Sequence, residues 1–206
     1  MKLSLPCISI GSSLLALAVA LVSPTPAAHA NVITYTANLT GPGESPPNAS
    51  PGTGFATVIT DDVANTLFVD VTFSGLEAGT TASHIHCCLP SPEVPGVNVG
   101  VATTVPTFPG FPLSVTSGTY SHDFSLLDPA TYNPAFVTLE GGTIPLARNA
   151  LVAGIEGGET YLNIHTTLFP NGEIRGFLVP EAATLLLLSA GLAGLAGVAW
   201  RPHRRK

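Results

Sequence analysis

Three histidines occupy positions at which strand geometry would place their side chains on one face. His84 and His86 are separated by one residue, and side chains two apart on a β-strand point the same way. His165 alternates with Leu162 and Ile164, so it would face away from a core that these two residues enter. Imidazole nitrogens ligate Zn²⁺ and Cu²⁺. The three histidines are therefore candidate metal ligands.

Other residues leave the role of these histidines open. His122, in another alternating stretch, or Glu173, across a predicted hairpin, could supply a further ligand. Alternatively, the imidazoles could hydrogen-bond to Glu173, Asn163 or the backbone and tie a long loop to the sheet. Arg175 shares a strand face with Glu173 and could join such a network. A structural network, a metal site and a metal-dependent redox centre all fit the pattern.

Cys87 and Cys88 follow the histidine pair directly. They could form a vicinal disulfide, bond to another chain, or remain thiols that serve as soft metal ligands. We expect the vicinal disulfide, because the ends of the chain predict export to an oxidising environment.

The charge distribution excludes whole classes of function. The chain has 206 residues with 7 Lys or Arg and 13 Asp or Glu. Residues 31–179 contain twelve of the acids but only Arg148 and Arg175 as basic residues, which leaves a net charge of −10. A body so poor in cations cannot neutralise a row of phosphates, so nucleic-acid binding is excluded. No nucleophile motif or marked carboxylate pair is present, and we expect a protein that is not an enzyme.

The N-terminus has the layout of a secretory signal. Lys2 precedes a mostly apolar run to Val22, and Ala28-His29-Ala30 supplies small residues in an A-x-A pattern. This layout predicts a signal peptide over 1–30 with cleavage after Ala30.

The C-terminus predicts a membrane anchor. Residues 182–200 carry no charge and are long enough to cross a bilayer as a transmembrane helix, and the basic tail 201–206 would stay cytoplasmic. Pro180-Glu181, the apolar helix and the basic tail together resemble the PEP-CTERM sorting signal of Gram-negative bacteria. Ala182 stands where the family has a second Pro. The resemblance implies an exosortase-type sorting partner, an inner-membrane intermediate over 180–206, and final delivery to the cell surface or extracellular matrix.

The body, 31–179, alternates with period two, which predicts short antiparallel strands. Strands are predicted at 34–39, 54–59, 67–73, 118–126, 160–167 and 173–178, with a turn at 61–65, an Asn171-Gly172 hairpin and one short helix at 145–155. Many short strands with long loops predict an all-β, antiparallel β-sandwich, either immunoglobulin-like or superoxide dismutase-like.

Three blocks of the body resemble the CHRD (chordin-type) domain. They are 39–47, 74–86 and 161–176, and their motif residues are Glu44, Pro46, Pro47, His84, His86, Asn163, His165, Thr166, Gly172, Glu173, Arg175 and Gly176. Cys87-Cys88 stands where a Gly-Pro-like turn is usual. The resemblance implies an exported domain over 31–179 and assigns no reaction.

Three functional expectations follow. The first is a non-enzymatic, surface- or matrix-associated protein with a binding or structural role. Its acidic body would require Ca²⁺ or Mg²⁺ to bridge it to an acidic matrix. The alternatives are a Cu- or Zn-binding protein, whose His-x-His strand is similar to that of Cu/Zn superoxide dismutase, and an exopolysaccharide-binding module.

Overall fold

The computed structural model of the protein describes residues 32–89 and 97–181. The predicted signal peptide (1–30), transmembrane helix (182–200) and basic tail lie outside the described residues. None of the helices within the described ranges has the length and apolar character needed to cross a membrane.

Eight strands form one antiparallel sheet in the order β4-β6-β7-β1-β2-β3-β5, with β8 also pairing with β1. The sheet curls into a half-barrel, and the predicted antiparallel all-β fold is confirmed. The strands are β1 (Val32–Thr40), β2 (Thr53–Asp61), β3 (Thr66–Ser74), β4 (Thr80–His86), β5 (Gly118–Ser125), β6 (Tyr161–Thr166), β7 (Ile174–Phe177) and β8 (Val179–Pro180). The helices are α1 (Pro134–Leu139) and α2 (Ile144–Glu156), with single 3₁₀ turns at Gly41–Gly43 and Pro129–Thr131.

The alternating pattern of β3 explains how the sheet acquires a buried face. Leu67, Val69 and Val71 are fully buried, whereas Asp70 and Thr72 lie on the other face. The turn into β3 is held by Asp61, whose Oδ1 accepts hydrogen bonds from the N–H groups of residues 63 and 64 at 2.9 and 2.8 Å. Both the strand and the turn agree with the sequence prediction.

Two helices pack in the connection between β5 and β6. α2 coincides with the helix predicted at 145–155, and its buried side chains Ala147, Leu151 and Ile155 join the core of the sheet. α1 was not predicted, because six residues are too few to establish a helical period. The side chain of Asn133 caps it by accepting a hydrogen bond from the backbone of Ala135 at 3.0 Å.

The fold brings distant parts of the sequence to one end of the sheet. β4 pairs with β6, and β6 pairs with β7, so the second and third CHRD-like blocks are neighbours. The segment after β4 returns to its free edge, where His86 forms an isolated bridge with Val101. This segment and the loop after β1 both contribute hydrogen bonds to the polar face of β4, β6 and β7.

Candidate metal centre

Three of the predicted ligands converge between β4 and β6. One imidazole nitrogen from each of His84, His86 and His165 belongs to a group whose members all lie within 4.8 Å of one another. His84 Nδ1 and His165 Nε2 are 3.4 Å apart. His84 and His86 are 6% and 8% exposed, whereas His165 is half-buried.

The opposite nitrogen of each ring is held by a backbone carbonyl. His84 Nε2 lies 2.8 Å from the carbonyl oxygen of Pro106, and His86 Nδ1 lies 2.8 Å from that of Val99. His165 Nδ1 lies 3.0 Å from the carbonyl oxygen of residue 170. Since a carbonyl only accepts hydrogen bonds, each of these ring nitrogens must carry its proton. In a neutral imidazole, the remaining nitrogen then presents a lone pair toward the other two rings.

Among the described residues, no hydrogen-bond donor satisfies His86 Nε2, which is buried. The close contact of His84 and His165 joins two acceptors, which is unfavourable unless a proton or a cation lies between them. Two nitrogens each about 2.0–2.1 Å from a tetrahedral Zn²⁺ are about 3.3–3.4 Å apart, which matches the spacing of this pair. Histidine ligands of metals generally donate their second N–H to a carbonyl or a carboxylate, as these rings do.

Burial keeps the three imidazoles neutral near pH 7. Burial lowers the pKa of His84 to about 4, with a smaller contribution in the same direction from His165. Burial likewise lowers the pKa of His86 to about 4 and shifts the pKa of His165 downward. The unprotonated ring is the form that binds metals.

The structure does not bring His122 or Glu173 into this group. His122 is on β5, at the opposite end of the strand order from β4, and its ring contacts that of Phe124 at a centroid distance of 4.5 Å. The fully buried Glu173 carboxylate accepts hydrogen bonds from Ser50 Oγ at 2.7 Å and Thr166 Oγ1 at 2.6 Å, and from the backbone N–H of residue 77 at 2.7 Å. Glu173 therefore ties the loop before β2 and the segment after β3 to the β6–β7 hairpin.

A stacked array borders the histidines on the same face of the sheet. The rings of His86 and Tyr161 stack with centroids 4.7 Å apart, and the guanidinium carbon of Arg175 lies 4.3 Å from the Tyr161 ring centroid. Arg175 donates hydrogen bonds to the Gly43 carbonyl at 2.8 Å and to Asn98 Oδ1 at 2.9 Å. Arg175 and Glu173 therefore have separate partners. Two of the imidazoles bond instead to backbone carbonyls of the long segment after β4 and tie it to the sheet, as the structural alternative expected.

Glu44 is a buried residue of this face that the sequence marked only as part of a family motif. Its side chain is 5% exposed, and its Oε1 has no hydrogen-bond partner in the part of the chain that the structure describes. Burial raises the pKa of Glu44 to about 7, and the charge of Arg175 and the neighbouring Asn163 amide oppose that shift. No periodic pattern could have predicted this burial, because Glu44 lies in the loop after β1.

Cys87 and Cys88 are joined in a vicinal disulfide, the state expected from the sequence. The two sulfurs lie 3.9 and 3.6 Å from the carbonyl oxygen of Ala150 in α2, and the same helix places Gly154 against them. They are not members of the histidine group. The disulfide thus packs between β4 and α2.

The fold and the histidine group together define an antiparallel β-domain with a candidate metal centre at one end of its curled sheet. The family model of the CHRD domain matches residues 35–178, and the chain belongs to the CHRD family. The PEP-CTERM protein-sorting motif matches residues 178–205, which include Pro180 and Glu181. Both predicted resemblances are confirmed. Neither the curated proteins nor the solved structures contain a significant match to this chain.

The sorting motif indicates export and processing by exosortase-type machinery. The three CHRD blocks all contribute to the face described above: the first supplies Glu44, the second His84 and His86, and the third His165 and Arg175.

Proposed function

We propose that this exported CHRD protein binds a single Zn²⁺ or Cu²⁺ ion through His84, His86 and His165. The observation that carries the proposal is the arrangement of the three rings. Each ring has one nitrogen at hydrogen-bond distance from a backbone carbonyl, and one nitrogen from each ring belongs to a group whose members lie within 4.8 Å of one another. A purely structural histidine cluster would gain by pairing each acceptor with a donor, and His86 Nε2 has no donor among the described residues.

The ligand set suits a borderline metal ion. Imidazole nitrogens favour Zn²⁺ and Cu²⁺ over Ca²⁺ or Mg²⁺, which prefer oxygen ligands. Three neutral histidines do not compensate the charge of the ion. They also leave a fourth coordination position open for water or an outside ligand. The ordered carbonyls of Val99 and Pro106 fix the rings before the ion arrives, which lowers the entropic cost of binding.

Association with the cell surface or matrix is the second part of the proposal. The net charge of −10 over residues 31–179 would repel anionic lipids and acidic polysaccharides. Divalent cations of the Ca²⁺ or Mg²⁺ type would then bridge the acidic domain to such partners. Loss of surface association in chelator, with restoration by Ca²⁺ but not by high NaCl, supports this part; association that persists in chelator argues against it.

Metal content tests the histidine site. The full-length chain, purified in detergent and stripped with chelator, is dialysed against Zn²⁺ or Cu²⁺ and examined by elemental analysis. We expect about one ion per chain, lost when His84→Ala and His165→Ala are combined. The matched control is His122→Ala, because His122 lies on β5 outside the group. A wild-type chain that retains no ion, or equal content in the double variant, would overturn the proposal.

A further inference from the structure

A small pocket opens between the loop after β1 and the β6–β7 hairpin. Its volume is about 200 Å³. Its apolar wall consists of Pro46, Pro47, Leu168, Phe169 and Pro170, and its polar lining of Glu44, Ser45, Asn48 and Asn171, with Gly172 between the two. The prolines and Leu168 are exposed at the mouth, and Leu168 has 59% of its surface accessible. The pocket is below the range of about 300–1,000 Å³ that is usual for drug-sized ligands, so its occupant is small.

One buried acceptor in this pocket has no partner. Glu44 is 5% exposed, and its Oε1 receives no hydrogen bond from the described residues. Gly172 packs directly against that oxygen, since a Cβ there would meet Oε1 and come within 2.7 Å of Cδ. An unsatisfied buried carboxyl oxygen destabilises the fold, whereas a ligand that donates a hydrogen bond would remove that penalty.

The charges around Glu44 favour an uncharged donor. Arg175 already lies near enough to Glu44 to lower its pKa by electrostatic attraction. The ionised carboxylate and the guanidinium compensate each other, so a second cation would gain little net attraction. A hydroxyl group needs no charge partner and can donate to either ionisation state of the carboxyl.

We propose that the Glu44 pocket binds a small, uncharged, polyhydroxylated ligand such as a single sugar residue. One hydroxyl donates to Glu44 Oε1, while the C–H face of the ring packs on the wall formed by the prolines and Leu168. Asn171, exposed at the rim, is positioned to hydrogen-bond with a second hydroxyl. The inference stands on the pocket alone and does not depend on a metal at the histidines.

Binding of defined sugars tests the inference. The full-length chain in detergent is titrated with D-glucose, D-galactose and D-mannose, and saturation-transfer NMR follows the ring protons. At least one hexose is expected to bind in the millimolar range. At pH 8, above the Glu44 pKa of about 7, Glu44→Gln is expected to weaken it about tenfold, because a charge-assisted hydrogen bond is replaced by a neutral one. Dextran is compared with D-glucose: tighter binding of the polymer indicates a residue within a glycan, and equal binding indicates a free sugar.

Exposed leucines provide a matched pair that leaves the fold intact. Leu168→Ala removes part of the apolar wall and should weaken hexose binding several-fold. Leu127→Ala is the control, because Leu127 is 61% exposed and lies outside the pocket. Combining His84→Ala and His165→Ala should abolish metal binding and leave hexose affinity unchanged, so the two proposals fail separately. Ethanolamine serves as the cationic competitor, because it carries an ammonium group as well as a hydroxyl. Tighter binding of ethanolamine than of any hexose, no binding of any hexose, or equal affinity in Glu44→Gln and wild type would overturn the inference.

Discussion

The Nδ1 atom of His84 and the Nε2 atom of His165 face each other at 3.4 Å as two hydrogen-bond acceptors. Each ring has already committed its proton to a backbone carbonyl on its far side, at 2.8 Å for His84 and 3.0 Å for His165. Breaking one of these carbonyl bonds would relieve the contact but would give up a hydrogen bond to the backbone. A shared cation satisfies both nitrogens and keeps both carbonyl bonds. The two nitrogens are therefore already positioned as a pair of metal ligands.

Metal should therefore stabilise the folded chain. Zn²⁺ at one hundred times its dissociation constant is expected to raise the free energy of unfolding by about 2.7 kcal/mol, because the unfolded chain lacks the assembled ligands. Thermal melts followed by far-ultraviolet circular dichroism, with Zn²⁺ and then with excess chelator, measure the shift. His84→Ala should abolish it and His122→Ala should preserve it. An equal shift in His84→Ala and wild type would assign the effect to metal bound elsewhere.

The raised pKa of Glu44 predicts a specific pH dependence. The folded-state value is about 7, against an ordinary value of 4.5, so the folded chain binds this proton more tightly. The resulting contribution to stability is fully present below pH 4.5 and is lost as the pH rises through 7. A shift of this size corresponds to at most about 3 kcal/mol.

Urea denaturation of wild type and Glu44→Gln between pH 4.5 and 8, both in chelator, isolates this effect. The buried histidines titrate in both proteins and cancel in the difference. The stability of wild type relative to the variant should fall as the pH rises from 4.5 to above 7, and then remain constant. A difference that does not change with pH would show that Glu44 titrates normally.

Local sequence patterns predicted six of the eight described strands and the shared direction of the histidines, but gave no strand range for β4 or β8. Period-two alternation predicted β3, the buried face of β6 and the shared face of His84 and His86, because each depends on residues a few positions apart. His122 was a candidate ligand on the same reasoning. Alternation gives the face of a residue but not its strand's place in the sheet, and β5 pairs with β3 rather than with β4 or β6.

The rest of the site depends on backbone groups and loops that carry no sequence signal. The carbonyls that fix His84 and His86 belong to Pro106 and Val99, and any residue at those positions offers the same acceptor. The burial of Glu44 depends on a loop that folds against a hairpin more than one hundred residues later in the chain. Such long-range packing could not be deduced from one sequence.

Replacement of Gly172 by alanine should lower the free energy of unfolding more than the same replacement at another glycine with positive φ. Gly172 has a φ of +125°, and a Cβ there would meet Glu44 Oε1 and lie 2.9 Å from Asn163 Nδ2. Gly158 has a φ of +71° and open space around its Cβ position. Backbone strain alone costs about 1–2 kcal/mol, so Gly158→Ala should lose about that amount and Gly172→Ala at least about 3 kcal/mol in chemical denaturation. Equal losses would mean that Glu44 is free to move away from the hairpin.

Because the disulfide packs against α2, the effect of a Gly154 substitution on stability should depend on the presence of the two cysteines. Alanine normally stabilises a helix interior by about 1 kcal/mol relative to glycine. At Gly154, however, the new Cβ would lie 2.5 Å from Cys87 Sγ and 2.7 Å from Cys88 Sγ, so Gly154→Ala should destabilise the chain by about 1–3 kcal/mol. In a chain that also carries Cys87→Ala and Cys88→Ala, the two sulfurs are gone and the same substitution should cost less or stabilise.

Urea denaturation of the four proteins of this cycle gives the coupling free energy. A coupling free energy near zero would place the sulfurs away from the helix, whereas a smaller loss of stability in the chain without cysteines would support the packing of the disulfide between β4 and α2.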